Sequence, residues 1–201
     1  MKIKVCGMKD KHNIEALEKV REVDFIGHIF TEKSPRFIGR SQVKSHIPSF
    51  GVFVNSSKSE IEQAASEYDL SFIQLHGDES PEFSKSINES VKPVVKVFAI
   101  SDKRDFEKTR DYEGCCTYFL FDTKTKLRGG SGEKFNWDLI KEYQGKTPFF
   151  LSGGISADDA QTIKEIQHPL LYGVDINSGF ETKPGLKNIE EINLFAKELK
   201  S

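Results

Sequence analysis

The sequence predicts an α/β fold, a single (β/α)8 TIM barrel with short loops, taking in residues 1–201 as one domain. Three observations predict it. Eight short apolar runs alternate with amphipathic stretches from end to end, no repeat, low-complexity tract or linker interrupts them, and the runs are apolar on one parity and polar on the other. The chain has 201 residues, 37% of them hydrophobic, which suffices for one substantial core and falls short of two. Eight strands each followed by a helix close into a barrel more readily than they lie in an open doubly wound sheet, the structural rival.

The first strand is read at Ile3–Cys6, from an opening Met1-Lys2-Ile3-Lys4-Val5-Cys6 that reads as a strand and not as a signal peptide. Ile14, Leu17 and Val20 then share one helical face. The second strand, Phe25–Phe30, is followed by a stretch of less marked helical period. The third, Phe50–Val54, precedes a face made by Ile61, Ala64, Ala65 and Tyr68. After the fourth, Phe72–His76, Ser80-Pro81-Glu82 sets a capping hydroxyl before a proline at the first helical position. The fifth, Val94–Phe98, again leads into a weak helical period, and the sixth is read at Tyr118–Asp122. The seventh, Phe149–Ser152, precedes Ser156 and Asp159 at capping-box spacing. The eighth, Leu171–Ile176, leads to a last helix with Ile189, Ile192, Phe195, Ala196 and Leu199 on one face.

Parity along the strands adds a functional signal. Ile3 and Val5, Phe25 and Ile29, Ile73 and Leu75, Phe119 and Phe121, and Val174 and Ile176 form an apolar set. The alternate positions carry Lys4, Cys6, His28, Gln74, His76, Asp122 and Asp175. A strand alternates faces with period two, so the polar set is expected in the barrel lumen and the apolar set against the helices. A hydrogen-bonded polar layer would explain this pattern, but most of these groups lie at strand C-terminal ends, where barrels place their active sites.

Composition removes several functions. Charged residues make up 30%, the formal net charge is -2 and the two signs are interspersed, so no nucleic-acid or anionic-membrane partner is suggested. No apolar run has the length of a membrane span. Three cysteines, two of them adjacent, make neither a disulfide framework nor a zinc spacing, which points to a reduced, cytoplasmic protein. The five histidines form no HxxxH or HxH pair, so no metal is expected. Without GxxxxGK[ST] or GxGxxG, no nucleotide cofactor is expected either.

Cys6 ends the first strand before Gly7, which lets the backbone turn and leaves space beside the thiol. Read alone it is a small buried hydrophobe, as most free cysteines are. With an ordinary pKa of about 8.5, its use as a base requires about 2 kcal/mol of help, for which Lys4 on the same face and nearby N–H groups are candidate sources. Asp122 follows Phe119-Leu120-Phe121 and is either a cap on the next loop or an acid whose raised pKa lets it donate a proton. Asp175 is similarly placed, and residue type leaves open which of the two is the acid.

Glycine-bearing turns follow the last strands: Gly129-Gly130-Ser131-Gly132, Ser152-Gly153-Gly154-Ile155 and Asn177-Ser178-Gly179. Exposed backbone N–H groups there can cradle a phosphate, and consecutive loops after strands seven and eight match the phosphate site recurrent in this architecture. Ser34-Pro35-Arg36 presents one arginine on a rigid turn, either a solvated surface residue or a two-pronged grip on a planar carboxylate.

Together these segments resemble the phosphoribosylanthranilate isomerase family over nearly the whole chain. The resemblance is carried by Lys4-Val5-Cys6-Gly7, Ser34-Pro35-Arg36, Gly51-Val52-Phe53-Val54-Asn55, Gln74-Leu75-His76-Gly77-Asp78-Glu79 and Phe121-Asp122. It continues in Gly130-Ser131-Gly132 before Phe135-Asn136-Trp137, in Ser152-Gly153-Gly154-Ile155, and in Val174-Asp175-Ile176-Asn177-Ser178-Gly179 before Glu181 and Pro184-Gly185. The resemblance implies an aldose–ketose isomerase of tryptophan biosynthesis that rearranges N-(5-phosphoribosyl)anthranilate without a cofactor. It implies Cys6 as general base, Asp122 as general acid and Arg36 as the holder of the anthranilate carboxylate. Gly130, Ser131, Gly132, Gly153, Gly154, Ser178 and Gly179 would bind the phosphate, and Asp175 orients substrate or merely holds strand eight.

The chain departs from the family pattern at Ser131, Ser152, Asn188 and Phe180, the last being bulky enough to narrow the phosphate pocket. A related ribotide isomerase of histidine synthesis would be expected to carry an aspartate where Cys6 stands. A non-catalytic phosphoribosyl-binding barrel would not need Cys6 and Asp122. The expected partner is a small phosphorylated substrate, with the chain a monomer or homodimer.

Overall fold

The computed structural model describes residues 1–39, 43–123 and 137–201. Strands β1 (Lys2–Val5), β2 (Phe25–Ile29), β3 (Ser49–Phe53), β4 (Phe72–Leu75), β5 (Val94–Ile100), β6 (Tyr118–Thr123), β7 (Phe149–Leu151) and β8 (Leu171–Ile176) form a closed barrel in chain order. Each neighbouring pair is parallel, and β8 returns to β1 through Lys4↔Asp175 and Val5↔Ile176. The expected (β/α)8 barrel is therefore the observed one, and with every strand parallel all the C-terminal ends meet at one rim.

The helices form where the capping signals stand. α1 (Lys11–Leu17) starts at Asp10, whose carboxylate accepts Asn13 N–H at 2.8 Å. α2 (Lys58–Glu67) starts on a reciprocal Ser57–Glu60 capping box. α3 (Pro81–Ser90) begins at Pro81 after the Ser80 cap, as read from Ser80-Pro81-Glu82. After β7, a 3-10 turn at Ala157–Asp159 leads into the short α4 (Ala160–Lys164), and α5 (Ile189–Lys200) is capped by Asn188.

A helix after every strand is not what forms. After β2, no helix lies among the described residues; instead Phe37 bridges in parallel to Ile29, and Ile38 N–H bonds Ile29 O at 2.9 Å. Pro35, Gly39 and Pro48 explain the extended course. After β5 the chain forms a 3-10 run, Lys103–Tyr112, which buries Phe106 and Thr109 at a three-residue spacing. Asp105 takes the N–H groups of Ser101 and Asp102, a local pull that competes with regular α-helix.

Two apolar layers follow from strand parity. Ile3, Val5, Ile73, Leu75, Phe119, Phe121, Val174 and Ile176 pack outward beneath the helices. Phe25, Phe50, Val95, Val97, Leu120 and Phe150 fill the lumen, joined by Phe72, Tyr118 and Tyr172. Phe50 stacks on Phe72 at 4.5 Å and meets Phe25 edge-on at 5.2 Å, so aromatic rings plug the barrel near its N-terminal end and leave the polar groups to the opposite rim.

Strand β2 reverses the expected parity. Phe25 belongs to the lumen plug and Ile26 to the outer layer, so His28 faces the helices, where its buried Nδ1–H donates to Met8 O at 2.7 Å. Gly27 is the lumen residue instead, and a Cβ there would stand 3.0 Å from Cys6 Sγ and 3.2 Å from Lys4 Nζ. His28 therefore has no place in the lumen set; burial holds its imidazole below the usual range, and it is a core histidine.

Candidate active site

Cys6 is the first residue beyond β1, and its N–H continues the ladder to Ile176 O at 2.9 Å. Gly7 turns the chain away with φ of +78°. Below the thiol lies Lys4, fully buried, with Nζ 2.8 Å from Asp175 Oδ1 and 5.2 Å above the Phe50 ring. The register that pairs Lys4 with Asp175 puts both side chains on the lumen side, and Gly27 gives them and the thiol room.

Burial pushes the Cys6 thiol up, and the nearby Lys4 ammonium offsets only part of that. Burial likewise opposes the Lys4 charge, but Asp175 and then Cys6 outweigh it, so Lys4 is held above the ordinary lysine range. Burial raises the Asp175 carboxyl against the pull of Lys4. The thiol is thus protonated at neutral pH, beside a permanent cation that favours its thiolate.

Asp122 occupies the C-terminal end of β6, opposite Ala99, with Leu120 below it in the lumen. Its Oδ2 lies 3.9 Å from His76 Nε2, just beyond β4, where His76 N–H continues the ladder to Phe53 O at 2.8 Å. Both side chains open onto the rim, at 16% and 25% exposure. Cys6 and Asp122 therefore stand on the same rim of the barrel, with β7 and β8 between their strands.

Arg36 is no solvated surface residue. Its side chain is 11% exposed and its stem crosses the Cys6 turn: a Cβ on Gly7 would lie 2.8 Å from Arg36 Cδ and 2.9 Å from Asn177 Oδ1. The guanidinium already grips a carboxylate, that of Glu181, through Nε at 2.9 and 3.0 Å and Nη2 at 2.7 Å. Glu181 opens a hairpin of β9 (Glu181–Lys183) and β10 (Leu186–Lys187), closed by Pro184 and by Gly185 at φ of +83°. Lys187, at the hairpin's other end, turns inward and donates to Glu181 Oε1 at 2.8 Å and to Asn177 Oδ1 at 2.6 Å. Burial opposes the Glu181 charge, yet Arg36 and Lys187 hold the carboxyl below its usual range.

Sequence reasoning reached Arg36 and missed what holds it. Glu181 figured only as part of a motif, and Lys187 carried no reading at all. Charged residues flanking a Pro-Gly turn read as a solvated hairpin, and no local signal shows that both point inward.

The loops after β7 and β8 come together. Gly153 and Gly154 adopt φ of 96° and 70°, and a 3-10 turn spans Ser178–Phe180. A Cβ on Gly179 would collide with the Ile155 carbonyl, so only glycine lets the two loops touch. Gly130, Ser131 and Gly132 lie outside the described residues. Phe180 does not narrow this region: it is fully buried and meets Phe195 of α5 edge-on at 5.0 Å.

Comparison with known proteins gives one consistent result. The family profile described as N-(5'phosphoribosyl)anthranilate (PRA) isomerase matches residues 3–198. An N-(5'-phosphoribosyl)anthranilate isomerase of Parabacteroides distasonis is 42% identical, over 99% of this chain and 93% of the relative. Monomers generated from the dimeric phosphoribosylanthranilate isomerase of Thermotoga maritima superpose with a TM-score of 0.84 at 31% identity, covering 100% of this chain and 98% of theirs. A phosphoribosylanthranilate isomerase in complex with reduced 1-(o-carboxyphenylamino)-1-deoxyribulose 5-phosphate superposes with a TM-score of 0.83 at 30% identity, over 100% of this chain and 98% of the other.

Proposed function

The chain belongs to the N-(5'-phosphoribosyl)anthranilate isomerase family, an enzyme family of tryptophan biosynthesis, and on that premise we propose that Cys6 is the general base and Asp122 the general acid of its Amadori rearrangement. The observation that carries this reading is the common rim: Cys6, just beyond β1, and Asp122, near the end of β6, lie at the same end of the barrel, with the Arg36 stem crossing the turn beside the thiol.

In this reading the substrate is N-(5-phosphoribosyl)anthranilate and the product is 1-(2-carboxyphenylamino)-1-deoxyribulose 5-phosphate. Asp122 protonates the ribose ring oxygen, the C1–O bond breaks, and the anilino nitrogen becomes a cationic Schiff base. That cation acidifies the C2–H, and the Cys6 thiolate removes the proton to leave an enolamine, which tautomerises to the ketone. The resting thiol first loses its proton to solvent beside the Lys4 cation; Asp122 then gives one proton and Cys6 takes one from C2, so Asp122 recovers its proton from solvent before the next turnover. Matching acid and base to their steps contributes on the order of 100–10,000-fold each.

The electrostatics of the floor suit these roles. A thiol raised by burial needs positive charge to ionise, and Lys4 supplies part of it. The Schiff base formed above Cys6 adds a second cation at the moment the base is required. Arg36 takes the anthranilate carboxylate, and Gly153, Gly154, Ser178 and Gly179, with Gly130, Ser131 and Gly132, take the phosphate. The contact of the loops after β7 and β8 at Gly179, on the rim where this architecture recurrently binds phosphate, supports that site.

No helix among the described residues is long and apolar enough to cross a membrane, and the three cysteines are free. We therefore place the reaction in the cytoplasm, with the chain working as a monomer or a homodimer on a small phosphorylated substrate. The test is loss of the substrate's anthranilate fluorescence on adding purified protein, with Cys6→Ser as control. Failure to convert it, or full turnover by the Cys6 variant, overturns the reading.

A further inference from the structure

We infer that Glu181 is a positioning residue that fixes Arg36 for the carboxylate of the substrate, an inference that rests on the reading of Arg36 given above. A guanidinium has two usable edges. Glu181 holds the Nε/Nη2 edge of Arg36 with three bonds of 2.7–3.0 Å, and Nη1 makes no hydrogen bond among the described residues. The occupied edge locks the plane of the group, and the remaining edge is left for a second planar anion.

Glu181 is itself pinned. Its Oε1 also accepts Gly185 N–H at 2.9 Å and Lys187 Nζ at 2.8 Å. Lys187 is spent on this task, because its ammonium meets Asn177 O at 3.1 Å, Asn177 Oδ1 at 2.6 Å and Glu181 Oε1. A lysine with three donors so committed anchors Glu181 and Asn177 and has none left for substrate.

The charge count points to an anion. Arg36 and Lys187 contribute two positive charges, Glu181 the single carboxylate that touches both, and their side chains are 11%, 0% and 4% exposed. The neighbouring Lys4–Asp175 pair balances itself. With the Cys6 thiol protonated, as it is at rest, one positive charge is left over beside it in a place largely closed to water, and a carboxylate delivered to the open edge of Arg36 neutralises it. A free arginine side chain loses rotamer freedom on binding, so a guanidinium already fixed binds more tightly than a free one.

The experiment uses two competitive inhibitors of the purified enzyme, reduced 1-(phenylamino)-1-deoxyribulose 5-phosphate with and without its ortho carboxylate. Wild-type enzyme is expected to prefer the carboxylated form by on the order of 10–100-fold, as for one well-placed charged hydrogen-bonding pair. Glu181→Gln should lose about tenfold of that preference while binding the uncarboxylated form unchanged. Equal weakening of both would mean a merely structural role, and tighter binding of the carboxylated form would mean that Glu181 competes with substrate for Arg36; either result overturns the inference. If Glu181→Gln gives no cooperative melt, the same ratio is read on Glu181→Asp, which keeps the charge and falls short of Arg36. Arg36→Met separates the two levels, since an undiminished preference in that variant removes Arg36 from the carboxylate and the underlying reading fails first.

Discussion

Lys4 Nζ and Asp175 Oδ1 lie 2.8 Å apart on adjacent strands below Cys6, and neither side chain is more than 6% exposed. A buried pair of this kind contributes little net stability but is costly to break, because either partner left alone is an unpaired buried charge.

Lys4→Met is therefore expected to cost about 3–5 kcal/mol, measured by urea unfolding. It should also slow alkylation of Cys6 by iodoacetamide at pH 8. Burial already raises the thiol, and removing the cation that opposes burial raises it further and lowers the thiolate fraction. Equal alkylation rates in the two proteins would take Lys4 out of the activation of Cys6.

Cys6→Ser and Asp122→Asn should each reduce kcat by about 100–10,000-fold without moving the melting temperature by more than a few degrees. Both side chains sit at the rim, away from the two apolar layers. Should Asp122→Asn retain full turnover while Asp175→Asn abolishes it, the acid is Asp175.

Gly179→Ala forces the loops after β7 and β8 apart, because the added methyl meets the Ile155 carbonyl. Inhibition by inorganic phosphate is expected to weaken by about tenfold, the loss of roughly one hydrogen bond to a charged group. An unchanged inhibition constant would place the phosphate elsewhere.

Phe180→Ala gives the opposite pattern. The ring packs on Phe195 in the outer core, so its removal should cost about 3–5 kcal/mol in urea unfolding and leave phosphate inhibition as it was. Tighter phosphate binding in this variant would show that the ring constricts the site after all.

Cys116 provides a pH test independent of catalysis. Burial pushes its thiol from 9.0 to about 12, so the folded chain keeps a proton that the unfolded chain gives up as pH rises past the ordinary value. Stability from this group is whole below pH 9 and is lost above it; by pH 10 the loss is about 1–2 kcal/mol. Cys116→Ala should therefore show a shallower fall in unfolding free energy between pH 8 and 10 than the parent. Parallel curves would contradict it.

Much of the barrel was legible in the chain. The eight strands lie within two residues of their expected limits, and the caps at Ser80 and Ser156 act locally enough for short segments to display them. Cys6, Asp122 and Asp175 could be assigned to the lumen side because period-two alternation separates the two faces of each strand. The same rule misplaced His28, because Phe25 and Ile26 are both apolar and only packing decides which of the two side chains enters the plug. The helices expected after β2 and β5 failed where proline and aspartate side chains act on the backbone.

What the sequence determined by itself is the order of the strands, the side on which most of their polar residues collect, and the family to which those segments point. These follow from near-neighbour chemistry: alternation, capping and glycine turns. Only the tertiary structure decided that Arg36 answers to Glu181 and Lys4 to Asp175, partners 145 and 171 residues apart. Such pairs exist because closing the barrel brings β8 and its hairpin back to β1 and the loop after β2, and a charge removed from water takes whichever opposite charge that closure puts within reach.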